Sequence, residues 1–140
     1  AFCRRGGGYG DRPDAWMVYA ESGDAGRTWS AGHELVNRFP NPNAAVDLLQ
    51  LRNGHLLLIY NHSRSGRTPL SLALSTDAGK TWQTGLDIGT GNREFAYPYA
   101  IETTDGRIQL IYTSAGRTEI HRQVFREVDL AGEFPETVAL

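Results

Sequence analysis

The sequence of 140 residues has one cysteine and no apolar run of the roughly 18 residues that a membrane-spanning helix needs. A single thiol excludes an intrachain disulfide bond. We expect Cys3, which lies in the apolar start Ala1-Phe2-Cys3, to be a small buried side chain. Because the chain begins with alanine and has no leader pattern, we expect it to be processed or to belong to a longer chain.

Neither sign of charge is in large excess, because the net charge is −2 and acidic and basic residues are interspersed. This balance gives no basic footprint for nucleic acid and no polybasic patch for a membrane surface. Metal-binding cysteine or histidine pairs are missing, and the glycine run at 6–8 is not followed by the Lys-Ser or Lys-Thr of a phosphate loop. We therefore expect no cofactor, no nucleic acid and no membrane as partners.

Helix signals are nearly absent, and an internal repeat of about 50 residues takes their place. The pattern Ser-x-Asp-x-Gly-x-Thr-Trp occurs at residues 22–29 and again at residues 75–82. Residues 51–60 align with residues 103–112, and each segment has a turn signal, Asn53-Gly54 or Asp105-Gly106, between apolar runs. Such dipeptides favour two-residue hairpins because these turns need positive φ.

Each repeat predicts four antiparallel strands, which is the pattern of one β-propeller blade. The fold class is therefore all-β. The middle blade spans residues 40–92, with strands predicted at 44–51, 56–61, 70–75 and 81–88. Residues 1–39 form a blade that lacks its first strand, with strands predicted at 1–5, 15–21 and 28–36.

Residues 93–125 form a blade without the box pattern, with strands predicted at 97–103, 107–113 and 118–125. The acidic tail at 126–140 has no predicted place. The chain thus holds about 2.5–3 blades, whereas propellers use about 4–8. Since open strand edges are avoided in natural proteins, we expect the remainder of a longer chain, or association of copies, to complete the ring.

The two boxes resemble the Asp-box, or BNR repeat, of sialidases. Every defined position matches in both copies: Ser22, Asp24, Gly26, Thr28 and Trp29, and Ser75, Asp77, Gly79, Thr81 and Trp82. The resemblance implies a sialidase-like, six-bladed propeller of which this chain is the C-terminal half. We expect the two aspartates to hold their own turns, because one carboxylate per loop is too few to bind calcium.

Strand order sorts the loops into two ends of the blades. The boxes and hairpin turns share one end, and the other end collects the loops at 5–14, 61–69 and 113–117 and the linkers at 39–43 and 89–96. Polar groups that converge at a loop end are the default expectation for a site. The residues that these segments contribute are Asn41, Asn43, Asn61, His62, Arg64, Arg67, Arg93, Glu94 and Arg117, with Tyr97 at the start of an inner strand.

The resemblance implies a tyrosine nucleophile, Tyr97, and a glutamate that activates it, Glu94. A phenol with its ordinary pKa of about 10 needs such a basic neighbour. His62 is a third catalytic candidate, as a general acid or base, or else a loop hydrogen-bonding residue. Substrate contacts are expected from Asn43, Asn61, Arg67, Arg93 and Arg117, since guanidinium groups suit a sugar carboxylate.

Asn61 and His62 stand where sialidases have an arginine, which argues against true sialidase activity. We expect a sialidase-like protein that cleaves a glycosidic bond in a carbohydrate. The alternative is a non-catalytic propeller that binds a glycan or a protein. These two expectations differ in whether Glu94, Tyr97 and His62 meet in one pocket.

Overall fold

A computed structural model describes residues 1–6 and 15–140, and the predicted loop at 5–14 therefore lies largely outside the described residues. The described residues form strands and two short 3-10 helices, and no α-helix. The elements are β1 (Phe2–Cys3), β2 (Val18–Tyr19), β3 (His33–Glu34), β4 (Asp47–Gln50), β5 (Leu56–Asn61), β6 (Leu70–Ser75), β7 (Thr81–Gly89), β8 (Phe95–Glu102), β9 (Ile108–Ser114), η1 (Ala115–Arg117), β10 (Glu119–Phe125), η2 (Glu127–Leu130) and β11 (Glu136–Ala139).

Three antiparallel sheets follow one another along the chain: a first blade of β1–β3, a middle blade and a last blade of β8–β10. The middle blade has five strands in the order β11-β7-β6-β5-β4. The predicted spans of β5 and β6 are confirmed, whereas β4 begins at Asp47, three residues later than expected. Every residue of β6 is buried, because this central strand is covered on both faces.

The strands of the first blade are much shorter than predicted. β1, β2 and β3 have two residues each. Two backbone hydrogen bonds extend the pairing beyond them, since the N–H of Met17 donates to Phe39 and the N–H of Leu35 donates to Met17. Cys3 is exposed, so the expectation that it is buried was wrong. Alternate residues of a strand face opposite sides. Phe2, the neighbour of Cys3 in β1, faces the middle blade and contacts Trp82.

The last blade has three strands, and the missing box corresponds to a missing fourth strand among the described residues. β8 begins at Phe95, two residues before the predicted start. Its pairing with β9 is interrupted by a bulge between Ala96 and Tyr99. Tyr97, within the bulge, has φ of 53°, a left-handed conformation that is rare for a bulky residue.

The tail, which had no predicted place, joins the middle blade. β11 pairs antiparallel with β7, so that Val138 lies opposite Trp82. Before it, η2 sits against the hairpin of the middle blade, where Glu127 accepts hydrogen bonds of 2.5 Å from Asn53 and His55.

Two buried clusters hold the blades together face to face. One, with Ile59, Leu72 and Leu110, lies between the middle and last blades. The other surrounds Trp82 and Phe39 and lies between the first and middle blades. The fold is therefore a succession of propeller-type blades, and the described residues do not close a ring.

Candidate functional site

The two Asp-boxes have the same hydrogen bonds. Thr28 and Thr81 donate to Asp24 and Asp77 through the backbone N–H, at 2.8 and 2.9 Å, and through the hydroxyl, at 2.6 and 2.7 Å. Within each box the serine Oγ accepts a bond of 2.8 Å from the glycine N–H. Each carboxylate therefore closes its own turn.

These bonds account for the electrostatics of the boxes. Hydrogen bonds from Thr28 and Thr81 lower the pKa of Asp24 and Asp77 from 3.8 to about 2. All of the donors belong to the turns themselves. The described residues contain no group of three or more His, Cys, Asp or Glu side chains placed to hold a metal ion. Each box is a turn held by its own hydrogen bonds.

A cavity of about 590 Å³ also lies at the box end, and its walls include Tyr19, Glu21, His33 and Lys80. Tyr19 donates a hydrogen bond of 2.7 Å to Glu21. Burial, followed by this contact, raises the pKa of Tyr19 to about 12. A phenol in that state is a poor nucleophile.

At the loop end, a cavity of about 320 Å³ lies where the middle and last blades meet. Its walls are Pro42, Ser65, Gly66, Arg67, Glu94 and Arg117. The residues come from a linker, from the loop after β5, from the segment before β8 and from η1. Strand order predicted this convergence, and the structure brings these segments together.

Two arginines share one carboxylate oxygen in this cavity. Glu94 Oε1 accepts a hydrogen bond of 2.9 Å from Arg67 and bonds of 3.3 Å from Nε and Nη2 of Arg117. The Arg67 side chain is only 5% exposed, whereas Arg117 is 51% exposed. A buried guanidinium is costly unless it is paired, so Glu94 and Arg67 stabilise each other.

Tyr97 lies beside the same two arginines. The Cζ atoms of Arg67 and Arg117 are 5.4 and 5.7 Å from the centre of its ring. A hydrogen bond from Arg67 and the charge of Arg117 lower the pKa of Tyr97, and Arg4 adds a smaller effect of the same sign. The phenol is 45% exposed, which leaves it open to a ligand.

Arg4 was missed as a site residue by the sequence analysis. It follows β1, which is the second strand of the first blade, as Asn61 and His62 come at the end of the second strand of the middle blade. The first strand was predicted to extend to residue 5, whereas β1 ends at Cys3, so Arg4 was assigned to a strand and not to the loop that follows it. Among the described residues, the positive groups of Arg4, Arg67 and Arg117 outnumber the Glu94 carboxylate around Tyr97.

Asn61 positions the segment that carries both Glu94 and Tyr97. Its side chain is fully buried and donates hydrogen bonds of 3.1 and 3.2 Å to the carbonyl oxygens of Pro69 and Phe95. The N–H of Phe95 in turn donates to the carbonyl of Arg67 at 2.7 Å. Both backbone groups of Phe95 are thus fixed by the middle blade, and the described contacts of Asn61 are with this buried backbone.

Three other predicted residues lie apart from Glu94 and Tyr97. His62 lines a neighbouring cavity, which also contains Ser65, and its ring is 5.4 Å from that of Tyr60. Arg93 pairs with Glu119 at 2.8 Å outside the cavity walls. Asn43 follows the wall residue Pro42 and has φ of 61°. The three catalytic candidates therefore do not meet: Glu94 and Tyr97 share the arginines, and His62 does not.

A serine, a histidine and a glutamate also come together in the last blade, but not as a catalytic triad. His121 Nε2 contacts both Ser114 Oγ, at 2.8 Å, and Glu119 Oε2, at 3.2 Å. A triad needs the serine and the acid on different ring nitrogens. His121 stacks on Tyr112 with the ring centres 5.3 Å apart, as expected for a packing residue.

Comparison with known proteins agrees with the blades and the boxes. The family described as BNR repeat-like domain matches residues 1–110. The chain belongs to this family. As a BNR repeat-like protein it has a sialidase-like superfamily fold, and the matched range includes both boxes, Glu94 and Tyr97. No curated protein matches the chain at a significant level.

The BNR family match ends before the last strands, so η2 and β11 lie beyond the matched range. No helix among residues 1–6 and 15–140 has the length and apolar character needed to span a membrane.

Proposed function

We propose that this protein cleaves the glycosidic bond of an acidic sugar, with Tyr97 as the nucleophile and Glu94 as its base. The proposal rests on one observation: Arg67 and Arg117 contact both the Glu94 carboxylate and the ring of Tyr97. A basic cavity suits a sugar that bears a carboxylate. A tyrosine with a lowered pKa suits attack on the anomeric carbon.

Binding comes first in this proposal. The substrate carboxylate pairs with Arg67 and Arg117, which now hold Glu94 Oε1. Because the guanidinium groups then have a second anionic partner, Glu94 is released to accept the proton of Tyr97. No hydrogen bond joins Glu94 to Tyr97 among the described residues, so substrate binding is what would bring the base into action.

Chemistry follows in two displacements. Tyr97 Oη forms a bond to the anomeric carbon as the bond to the leaving oxygen breaks, and that oxygen takes a proton from solvent water. A second water then attacks the anomeric carbon as the bond to Tyr97 Oη breaks, and Glu94 returns its proton to Tyr97 Oη. The proton that the attacking water loses neutralises the hydroxide left by the first water. Two displacements at one carbon retain the configuration.

A non-catalytic glycan-binding propeller is the second candidate function. It is favoured by the two arginines on Glu94 and by the position of His62, which lies in a different cavity from Glu94. The three catalytic candidates thus do not meet in one pocket, which is the arrangement expected of a non-catalytic propeller. In that case the cavity binds the acidic sugar without turning it over.

Turnover of aryl glycosides of acidic sugars tests the proposal. We expect Tyr97→Phe to lower kcat by at least about 100-fold, since the nucleophile is lost, and Glu94→Gln to lower it by about 100-fold, the usual contribution of a general base. Tyr99→Phe is the matched control, because Tyr99 is in the same strand and is 60% exposed.

Equal rates for Tyr97→Phe and Tyr99→Phe would contradict the nucleophile. Binding of the sugar by the wild type without turnover, lost on Arg67→Ala, would instead establish the glycan-binding alternative.

A further inference from the structure

A second cavity lies at the loop end, between the first and middle blades. Its volume is about 540 Å³, within the usual range for ligand pockets. The cavity is built from segments far apart in the sequence. Its main polar residues are Arg38 of the linker, His62 and Arg64 of the loop after β5, and Glu136 of β11.

Two local features bring Glu136 and Arg64 to this cavity. Gly85 has φ of 83°, and a Cβ there would come within 3.0 Å of Pro135 and 3.6 Å of His62. The bare backbone thus lets the tail pass over the middle blade beside His62 and brings Glu136 to the cavity. Arg64 is fixed over the ring of Trp16, with its Cζ 4.9 Å from the ring centre.

The two loop-end cavities are neighbours. Ser65 lines both, and the loop that contributes His62 and Arg64 to one contributes Gly66 and Arg67 to the other. A ligand that places an acidic sugar beside Tyr97 can therefore extend past Ser65 into the second cavity without leaving this end of the blades.

The second cavity has the chemistry of a sugar-binding subsite. Sugar hydroxyls both donate and accept hydrogen bonds, and Glu136 accepts, Arg38 donates, and His62 can do either. Pro40 and Val138 add apolar surface for a ring face. The charged groups of the two cavities match, because Arg38 and Arg64 accompany Glu136 here as Arg67 and Arg117 accompany Glu94 next to it. His62 and the apolar surface are what distinguish the second cavity.

We propose that this second cavity binds the sugar unit that follows the acidic sugar, so that the substrate is an oligosaccharide with an acidic end rather than a simple glycoside. The inference rests on the proposed function. It reassigns His62 from catalysis to substrate binding, and it adds Arg38 and Glu136 as residues that determine specificity.

The test compares two substrates with the same acidic sugar, a methyl glycoside and a trisaccharide that has this sugar at its end, so that both leaving groups are unactivated alcohols. Binding energy from remote units raises turnover at the reacting bond. We expect the wild type to prefer the trisaccharide by about tenfold or more in kcat/KM, and Arg38→Ala and Glu136→Gln each to remove most of this preference. Arg27→Ala, an exposed arginine in the first Asp-box, is the matched control and should keep the preference.

A second readout is trisaccharide binding to the Glu94→Gln protein, followed by NMR line broadening of the sugar signals. We expect broadening on the acidic sugar and on the next unit, with the latter lost in the Arg38→Ala background. Broadening on the acidic sugar alone would overturn the inference, and so would equal kcat/KM ratios in Arg38→Ala and wild type. A preference for a glycopeptide with the acidic sugar directly on serine would overturn it in favour of a peptide subsite.

Failure of the proposed function has a different signature. If neither substrate is turned over but both sugar units broaden in an Arg38-dependent way, the subsite stands and the catalytic proposal fails. If no trisaccharide binds at all, both fail.

Discussion

The two Asp-boxes have the same sequence pattern and the same hydrogen bonds, yet their tryptophans differ completely in burial. Trp82 is 0% exposed and Trp29 is 53% exposed. Each indole N–H bonds to the carbonyl of its own glycine, at 3.0 and 3.1 Å. Only Trp82 lies between two blades, with Phe2 and Phe39 against its faces and edges.

The loop end has a parallel case. Gly-Arg-Thr occurs in both the middle and last blades, and both arginines bind the same oxygen of Glu94. The side chain of Arg67 is buried and that of Arg117 is half exposed. A repeated motif therefore determines the local hydrogen bonds of a residue. The neighbouring blade determines how far that residue is buried, and hence how much it contributes to the free energy of unfolding.

The largest expected effect is at the tryptophans. We expect Trp82→Ala to lower the free energy of unfolding by about 3–5 kcal/mol, because a large cavity would open between two blades. Trp29→Ala should cost less than about 1 kcal/mol, since half of the side chain is already in water. Urea denaturation of both variants measures the difference, and similar losses would contradict the comparison.

The arginines come next. Arg67→Ala should lower the free energy of unfolding by about 2 kcal/mol, which is below the usual cost of breaking a buried pair because Glu94 is 32% exposed. Arg117→Ala removes a surface pair and should cost less than about 1 kcal/mol. Thermal unfolding distinguishes them, and a larger loss for Arg117→Ala would reverse the assignment.

The repeat also pairs Tyr60 with Tyr112. Tyr112 Oη accepts a hydrogen bond of 2.9 Å from Gln123, so Tyr112→Phe should cost about 1 kcal/mol. The hydroxyl of Tyr60 is buried and has no hydrogen-bond partner among the described residues. Tyr60→Phe should therefore be neutral or stabilising, and chemical denaturation of the two variants would show the opposite order if this assignment is wrong.

The smallest expected effect is the acid response of the boxes. The pKa values of Asp24 and Asp77 are about 2 when folded, below the ordinary 3.8. Their stabilising contribution is therefore complete above pH 3.8 and is lost as the pH falls towards about 2. A double Asp24→Asn, Asp77→Asn variant should have a midpoint temperature that changes less over this range than that of the wild type. Parallel curves for the two proteins would refute it.

Sequence reasoning succeeded where structure is local. The boxes and the hairpin turns are decided by hydrogen bonds within eight residues or fewer, so Asp24, Asp77 and the Asn53-Gly54 turn could be interpreted directly. Strand order alone placed Arg67, Glu94 and Arg117 at one end of the blades, and these three residues line one cavity.

Sequence reasoning failed where the position of a residue depends on segments that are far away in the sequence. His62 and Arg67 lie in one loop, but the loop faces two different cavities, a division that spacing does not reveal. The tail has too weak an alternation to predict β11, whose position depends on the exposed edge of β7. The bulge at Tyr97, which places its ring beside Arg67 and Arg117, had no signal beyond the following proline.

The pairing of β11 with β7 makes the order of folding matter. The two strands are separated in sequence by the whole last blade, and contacts across such distances form slowly because a long loop must first be closed. The middle blade can therefore reach its full five strands only after the chain has run through the last blade and returned. Until then, the edge of β7 beside Trp82 is open to pairing with another chain.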